Sequence, residues 1–149
     1  MFDFFAVSIA QIRPGDGEYL AALALRDTIL RRPLGLSFTA EEMAKEEGCI
    51  HLVGVIGAEV VATLLLQPLD PATVQMRQVA VRADLQGQGI GRRLLLAAEA
   101  AAREQGFTRL MAHARETALA FYERNGYAPE GDIFTEATIL HRAVTKILC

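Results

Sequence analysis

The order of its apolar segments predicts that this chain has an α+β fold, in which about four helices cover both faces of a central, mostly antiparallel sheet of about seven strands. Two β-type runs separated only by Gly57-Ala58 indicate a tight hairpin. A strand, a long helix and a further strand between residues 74 and 114 are typical of a β-α-β crossover. The chain has 149 residues, 52% of them hydrophobic, which predicts one domain over residues 1–149.

The first elements are predicted from short apolar runs and helix boundary signals. Residues 4–10 are apolar and partly β-branched, which indicates a strand. Residues 13–32 have a helical pattern, with Asp16 at the N-cap and Pro33 at the end. The apolar stripe of this helix is predicted at Leu20, Leu23, Ala24 and Leu30.

The middle of the chain alternates between capping signals and β-type runs. Thr39 and Glu42 have the spacing of a capping box, which predicts a second, short helix. Strands are then predicted over residues 49–57, 59–67 and 74–82.

The second half begins with a long helix over residues 89–106, which Gly106 closes. A strand is predicted over residues 108–114, and a short helix over residues 116–126. The remainder is predicted to form two strands that reverse at an acidic turn near Gly131-Asp132.

Composition argues against several classes of protein. The net charge of −3 offers no general electrostatic reason to bind nucleic acid. No uncharged apolar run approaches the roughly 18 residues of a membrane span, and no signal peptide is evident, so we expect a cytoplasmic protein that is not in a membrane. Cys49 and Cys149 lack the spacing of metal ligands, so we expect free thiols and no metal site.

Glycines at alternate positions, 87, 89 and 91, stand between the fourth strand and the long helix. The first turn of a helix has unpaired backbone N–H groups and a partial positive charge, so it attracts phosphate. Glycine lets the backbone approach an anion closely and adopt positive φ. This stretch therefore predicts a cradle for a pyrophosphate.

The residues of this turn exclude two common cradles. A Walker A loop requires Gly-Lys-Ser/Thr after its second glycine, and a Rossmann turn requires G-x-G-x-x-G, whereas residue 92 is arginine. The pattern Gln86-x-x-Gly89-x-Gly91 instead resembles the signature of the GNAT superfamily of acyl-CoA N-acyltransferases, which is Arg/Gln-x-x-Gly-x-Gly/Ala at the start of the helix after the fourth strand.

Two later segments extend the resemblance over nearly the whole chain. Residues 118–127, ALAFYERNGY, are similar to the superfamily's A-x-x-x-Y-x-x-x-G-F segment. Residues 134–141, FTEATILH, are similar to the F-x-E-x-x-I-P-H ending of the ElaA-like acetyltransferases, with Leu140 in place of the proline. Arg26 and His51 also match that branch.

The resemblance implies acetyl-CoA as cosubstrate, an amine as acceptor partner, and a gap for the acyl thioester where the fourth and fifth strands splay apart. It implies coenzyme A binding by Val79, Ala80, Val81, Gln86, Gly87, Gln88, Gly89, Ile90, Gly91, Arg92, Arg115, Ala118 and Tyr122. On the acceptor side it implies Glu136, His141 and Arg26. Dimers are common in this superfamily, so a homodimer is a further expectation.

The implied reaction is direct attack of the amine on the acyl carbon, which makes the chain an acyltransferase for groups other than aminoacyl groups. The resemblance assigns Tyr122 as the general acid that protonates the leaving thiolate. Arg115 stands where many relatives have Asn or Gln, and it either reaches a phosphate or caps a strand end.

The general base stays open at this level, because Arg77 and Gln78 stand where relatives often have a Glu on the fourth strand. The candidates are Glu136, His141, His113 and His51, or else a water relay or an acceptor that arrives as the neutral amine. The missing carboxylate also supports an alternative function, a non-catalytic acyl-CoA-binding or sensing module. A nucleotide-binding regulatory domain is disfavoured, since the chain has no Walker lysine and no ribose-binding acid.

Overall fold

The computed structural model describes residues 7–148. Its strands are β1 (Ser8–Ile12), β2 (Ile50–Ile56), β3 (Glu59–Pro68), β4 (Thr73–Val81), β5 (Arg109–Arg115), β6 (Ala128–Glu136) and β7 (Ile139–Ile147). Its α-helices are α1 (Gly17–Arg26), α2 (Ala40–Lys45), α3 (Ile90–Glu104) and α4 (Leu119–Arg124).

All seven strands of the described residues join in one sheet, in the order β1-β2-β3-β4-β5-β7-β6. Only β4 and β5 run parallel, because the long helix α3 connects them as a crossover, and the other neighbours are antiparallel. The predicted α+β class, with a mostly antiparallel sheet and helices on both faces, is confirmed.

The pairing of β4 with β5 is short. It covers four residue pairs, from Thr73 opposite Arg109 to Met76 opposite Ala112, and then ends. Just beyond it, Gln78 has a positive φ of 56°, and the register of β4 against β3 shifts at the same place. A β-bulge bends its strand. The bulge therefore turns the end of β4 away from β5 and opens a gap between them.

Two apolar cores lie on the two faces of the sheet. The larger core contains the buried face of α3, with Leu94, Leu95 and Ala98, together with Tyr122 of α4. The smaller core lies under α1 and contains Leu25. None of the helices formed by residues 7–148 is long and apolar enough to span a bilayer.

The predicted stripe of the first helix is only half right, since Leu23 and Leu30 are partly buried against the smaller core, but Leu20 and Ala24 are exposed. Its buried residues are Tyr19, Ala22, Leu25 and Arg26, whereas Leu20 is 72% exposed. Leucine and alanine occur on several faces of this helix, so their spacing does not select the buried one. The first strand runs to Ile12, and residues 4–6 of the predicted strand lie outside the described residues.

The last strand reversal also differs from the prediction. β6 and β7 reverse at Ala137 and Thr138, which have positive φ values of 48° and 65°. Neither residue is a typical turn former, so the sequence does not mark this turn. Gly131 has a φ of 78° and lies instead in a register shift between Glu130 and Phe134, within β6.

A buried carboxylate ties α3 to the opposite end of the chain. Glu99 is 1% exposed, accepts a hydrogen bond of 2.9 Å from the Tyr127 hydroxyl, and lies 3.1 Å from Lys146 Nζ. Arg103 approaches the same carboxylate at 3.7 Å. A buried charge is costly unless it is paired, so this contact fixes the position of α3 over β7.

We expect Lys146→Met to lower the free energy of unfolding by about 3 kcal/mol, because it removes the nearest cation from a buried carboxylate. Glu99→Gln in the same chain should recover much of that loss, since a neutral amide needs no counterion and still accepts from Tyr127. Urea denaturation of the single and double variants measures both. If Lys146→Met and the double variant lose the same free energy of unfolding, the ion pair does not hold α3.

Candidate active site

A cavity of about 820 Å³ occupies the gap between β4 and β5. Its walls come from both strands, the first turn of α3, α4, the segment after α1 and the turn between β6 and β7. The site residues predicted from the sequence that line it are Val79, Ala80, Val81, Gln86, Gly87, Gly89, Gly91, Arg92, Arg115, Ala118, Tyr122, Glu136 and His141.

Three predicted residues lie outside this lining. The Gln88 side-chain amide donates to the Asp84 carbonyl at 3.2 Å. The Ile90 side chain is 1% exposed and packs in the larger core, so only its backbone faces the turn. The third is Arg26, which has a different role.

Arg26 is committed to a buried ion pair. Its two terminal nitrogens contact the Glu46 carboxylate at 2.8 and 2.9 Å, and its side chain is 3% exposed. The expectation that Arg26 contacts the acceptor is therefore corrected: it joins α1 to the end of α2. Arg31, which the sequence analysis did not single out, lines the cavity instead, and its guanidinium stacks on Phe38, 4.3 Å from the ring centroid.

The glycine turn has the geometry of an anion cradle. Gly87 and Gly89 have φ values of 78° and 88°, and no atom lies within 4 Å of the position that a Cβ would occupy on either. Gly89 is the N-cap of α3, and Arg93 is the first residue whose N–H donates back to it, at 3.2 Å. The amides of residues 90–92 thus remain for a ligand, at the positive end of a helix of 15 residues.

Backbone groups of β4 point into the gap. The Arg82 N–H donates to the Val61 carbonyl of β3 at 2.8 Å. Since backbone groups alternate along a strand, those of Val79 and Val81 face the opposite edge, where β5 has parted, and those of Ala80 face β3. The Val81 carbonyl accepts from the Gln86 side chain at 2.9 Å, so its N–H and both groups of Val79 remain.

Tyr122 lies on the side of the gap formed by α3 and α4. Its ring packs edge-on against Phe121 and Tyr127, with centroids 5.3 and 5.5 Å away. It lines the cavity, yet is only 7% exposed. Burial alone raises the pKa of Tyr122 to about 12, so the phenol is protonated at neutral pH.

The other side of the gap holds a cluster of aromatic and charged side chains. His113 Nδ1 lies 3.1 Å from Glu136 Oε2, and the His113 ring packs edge-on against Phe134 with centroids 4.9 Å apart. Phe134 stacks in turn on His141, whose Nδ1 lies 2.8 Å from the Ile139 carbonyl. The cluster joins β5, β6 and β7 across their register.

Other candidates from the sequence lie away from the cavity lining. His51 is 4% exposed, and its Nε2 lies 2.9 Å from the Glu46 carbonyl, so it supports the Arg26 ion pair. Cys49 is a free thiol outside the lining, and Cys149 lies outside the described residues. Within residues 7–148, no group of three or more His, Cys, Asp or Glu is arranged to hold a metal ion.

A parallel-paired sheet that parts beside a glycine turn defines the acyl-CoA N-acyltransferase class of fold. The sequence profile of the acetyltransferase (GNAT) family matches residues 18–127, and the chain belongs to this family. The resemblance predicted from the glycine turn is thereby confirmed.

Solved structures agree with this placement. A presumed N-acetyltransferase from Lactobacillus plantarum is 28% identical, with a TM-score of 0.85 over 96% of this chain and 99% of that one. A GNAT family acetyltransferase from Elizabethkingia anophelis with acetyl-CoA bound is 17% identical, with a TM-score of 0.76 over 96% and 99%. Escherichia coli ElaA is 17% identical, with a TM-score of 0.80 over 93% and 99%. Family membership supports acyl transfer from a coenzyme A thioester as the general chemistry.

We expect none of the three tyrosines to ionise at its ordinary pH in the folded protein. Burial raises the pKa of Tyr19, of Tyr127 beside Glu99, and of Tyr122 to about 12. The chain has no tryptophan, so tyrosinate absorbance is unobscured. Titration should show little tyrosinate at pH about 10, near which the urea-unfolded chain titrates.

The sign for stability follows from these directions. A phenol whose pKa is raised by folding contributes stability that is complete below pH about 10. For Tyr122 this contribution is lost as the pH rises from there through about 12. Tyr122→Phe should remove one third of the tyrosinate amplitude and flatten the alkaline loss of stability. If the wild type instead shows a tyrosinate step near pH 10 that Tyr122→Phe lacks, Tyr122 is solvated.

Proposed function

We propose that this chain is an N-acetyltransferase that moves an acetyl group from acetyl-CoA to a primary amine of a small molecule or protein. One observation carries the proposal: a single cavity joins the glycine turn of α3, the unpaired backbone edge of β4 and Tyr122. These features would respectively hold pyrophosphate, thioester and leaving sulfur. Unpaired cysteine and the coenzyme A cosubstrate support a cytoplasmic location, and homodimer formation through strand edges stays a prediction.

Coenzyme A would bind with its pyrophosphate at the N-terminus of α3. The amides of residues 90–92 would donate to phosphate oxygens, and Gly87 and Gly89 would let the anion approach the backbone. Arg92 and Arg124 line the same side of the cavity and would add charge-assisted contacts. Arg115 lies at the end of β5, within reach of the cavity but on the other face of the strand.

The thioester would lie along β4. The N–H groups of Val79 and Val81 face the gap, so one of them would donate to the thioester oxygen as negative charge develops there. Ala118, the small N-cap residue of α4, lines the cavity one turn before Tyr122 and leaves room for the pantetheine arm.

Tyr122 would assist departure of the thiolate. An exposed phenol has a pKa of about 10, whereas burial raises the pKa of Tyr122 to about 12. Full transfer to an alkyl thiolate, whose conjugate acid has a pKa of about 8.5, is then uphill. We therefore infer that the hydroxyl mainly stabilises the thiolate by donating a hydrogen bond, and passes a proton that solvent replaces.

A second function has one observation in its favour. The middle of β4 carries Arg77 and Gln78 rather than a carboxylate, and Arg77 Nη1 donates to the Gln67 side chain at 2.9 Å. A chain that bound acetyl-CoA without any base to assist an acceptor would act as an acyl-CoA-binding or sensing module. Turnover separates the two functions, because a sensor would release no free thiol.

We expect Gly89→Glu to abolish coenzyme A binding, because it puts a carboxylate among the amides of the cradle. Gly106→Glu is the matched control. Gly106 has a nearly equal φ of 89° and the same open space, and it lies at the other end of α3. Both variants strain the backbone alike, by about 1–2 kcal/mol. Calorimetry should show affinity reduced at least about 100-fold only in Gly89→Glu, a loss of about 3 kcal/mol. Equal coenzyme A affinity in the two folded variants would show that the glycine turn does not bind the pyrophosphate.

We expect the wild-type protein to release free thiol from acetyl-CoA in the presence of an amine from a panel of acceptors. Tyr122→Phe keeps the ring packing and should lower kcat about 10²-fold, the low end for a general acid, with coenzyme A affinity nearly unchanged. Full turnover in that variant would reassign thiolate protonation to solvent. Coenzyme A binding without turnover on any amine would favour the sensing module.

A further inference from the structure

We propose that His113 is the general base for the acceptor amine, and that Glu136 is the residue that positions it. The proposal rests on the proposed acetyltransferase function. In this chain an imidazole on β5 would take the role of general base that relatives often assign to a carboxylate on the fourth strand. The geometry of His113 distinguishes it from the other histidines in the described part of the chain.

His113 and Tyr122 lie on opposite sides of the gap. Leu110, Ala112 and Ala114 of β5 are buried in the larger core together with Tyr122. Side chains alternate along a strand, so His113 projects to the other face and into the cavity. An acyl group between the parted strands therefore has the phenol on one side, for the sulfur, and the imidazole on the other, for the amine.

The contact with Glu136 defines the form of the ring. A carboxylate only accepts hydrogen bonds, so the 3.1 Å contact requires a proton on His113 Nδ1, and in the neutral ring the lone pair is then on Nε2. The same carboxylate stabilises the imidazolium that forms when Nε2 takes a proton. Phe134 packs edge-on against the ring at 4.9 Å and limits its rotation. The His113 side chain remains 33% exposed, so Nε2 is open to an acceptor.

The other histidines lack this combination. His141 lines the cavity, but its Nδ1 proton is held by the neutral Ile139 carbonyl at 2.8 Å, which gives no charge to oppose an imidazolium. His51 lies outside the lining, and its Nε2 contacts the Glu46 carbonyl. Only His113 combines access, a carboxylate partner and the acceptor side of the gap.

The surroundings favour a neutral amine. The charged and titratable groups that line the cavity on the His113 side of the sheet are Glu136 of β6, His141 of β7, Arg77 of β4, Arg115 of β5 and Arg31 after α1. Arg31 is paired with Glu42 at 3.1 Å. Arg77 and Arg115 still outnumber Glu136 along this lining, and positive charge disfavours an ammonium ion. The amine thus reacts as the free base, and the proton to be removed is the one that becomes acidic on attack.

The amine lone pair forms the C–N bond, and the carbonyl π electrons move to oxygen. His113 Nε2 removes one proton from the amine nitrogen. The C–S bond breaks with its electrons on sulfur while the C=O bond re-forms. The thiolate gains a proton through the Tyr122 hydroxyl, and the proton on His113 replaces it by way of solvent. The net products are an amide and free coenzyme A.

The test compares His113→Ala with wild type on an amine that the wild type acetylates. We expect kcat to fall about 10²-fold to 10⁴-fold, with unchanged coenzyme A affinity by calorimetry. Wild-type kcat/KM should have an acidic limb, because a general base acts only in its unprotonated form, and the variant should lose that limb. Added imidazole should restore turnover to His113→Ala, which a purely structural role would not allow. If His113→Ala fails to fold, His113→Gln is measured for the same loss of rate and pH limb.

Two comparison variants complete the test. Glu136→Gln keeps a hydrogen-bond acceptor but loses the charge, so its kcat should lie between wild type and His113→Ala with little change in KM. His141→Ala should keep the acidic limb and gain nothing from imidazole. Imidazole rescue of His141→Ala but not of His113→Ala would overturn the role of His113, and so would full turnover in His113→Ala. Either result would leave the acetyltransferase function unaffected. Absence of turnover in the wild type would instead overturn the acetyltransferase function.

Discussion

The parting of β4 from β5 is the constraint on which the candidate site depends. The two strands pair over only four residues, after which the bulge at Gln78 turns β4 away. Central strands of a sheet normally satisfy each other's backbone groups, so parting them is unfavourable unless something else binds that edge. Here the exposed edge borders a cavity of about 820 Å³, and the backbone groups of Val79 and Val81 face it. The local loss of sheet pairing thus creates the functional surface.

The two faces of the sheet present different chemical groups to this gap. On one face, α3 and α4 supply the glycine turn, arginines and Tyr122, which suit a phosphorylated thioester. On the other face, the cluster of His113, Phe134, Glu136 and His141 suits an amine that must lose a proton. Because the gap opens to both faces of the sheet, the proposed donor and acceptor would meet at one carbon, and each would contact a different face. Burial keeps the Tyr122 phenol protonated, whereas the His113 imidazole is partly exposed. These two environments suit the separate roles that we propose for the two side chains.

Buried ion pairs hold the walls of this cavity in place. Arg26 and Glu46 fix the end of α2 to α1, and Arg31 continues from that anchor into the cavity lining. Glu99 and Lys146 fix α3 against β7 on the other face. Burying each pair costs desolvation free energy, and separating the partners would leave an unpaired buried charge, which costs more. Each pair therefore favours one arrangement of helix and sheet. Arg26 had been expected at the acceptor from its match to the ElaA-like branch, but in this chain it forms a buried ion pair with Glu46.

Local signals in the sequence were sufficient for the order of helices and strands along the chain, the hairpin at Gly57, the caps at Thr39 and Gly106, and the glycine turn, since each depends on residues close together in the chain. Tertiary structure alone decided the features that depend on distant residues. These features are the buried face of α1, the position of the last turn at Ala137 and Thr138, and the ion pair of Arg26. Tertiary structure also brought His113 to Glu136, 23 residues later, because the pairing of β5 with β7 and of β7 with β6 sets that distance. Local propensity specifies elements, whereas partners across a sheet are specified only when the whole register has formed.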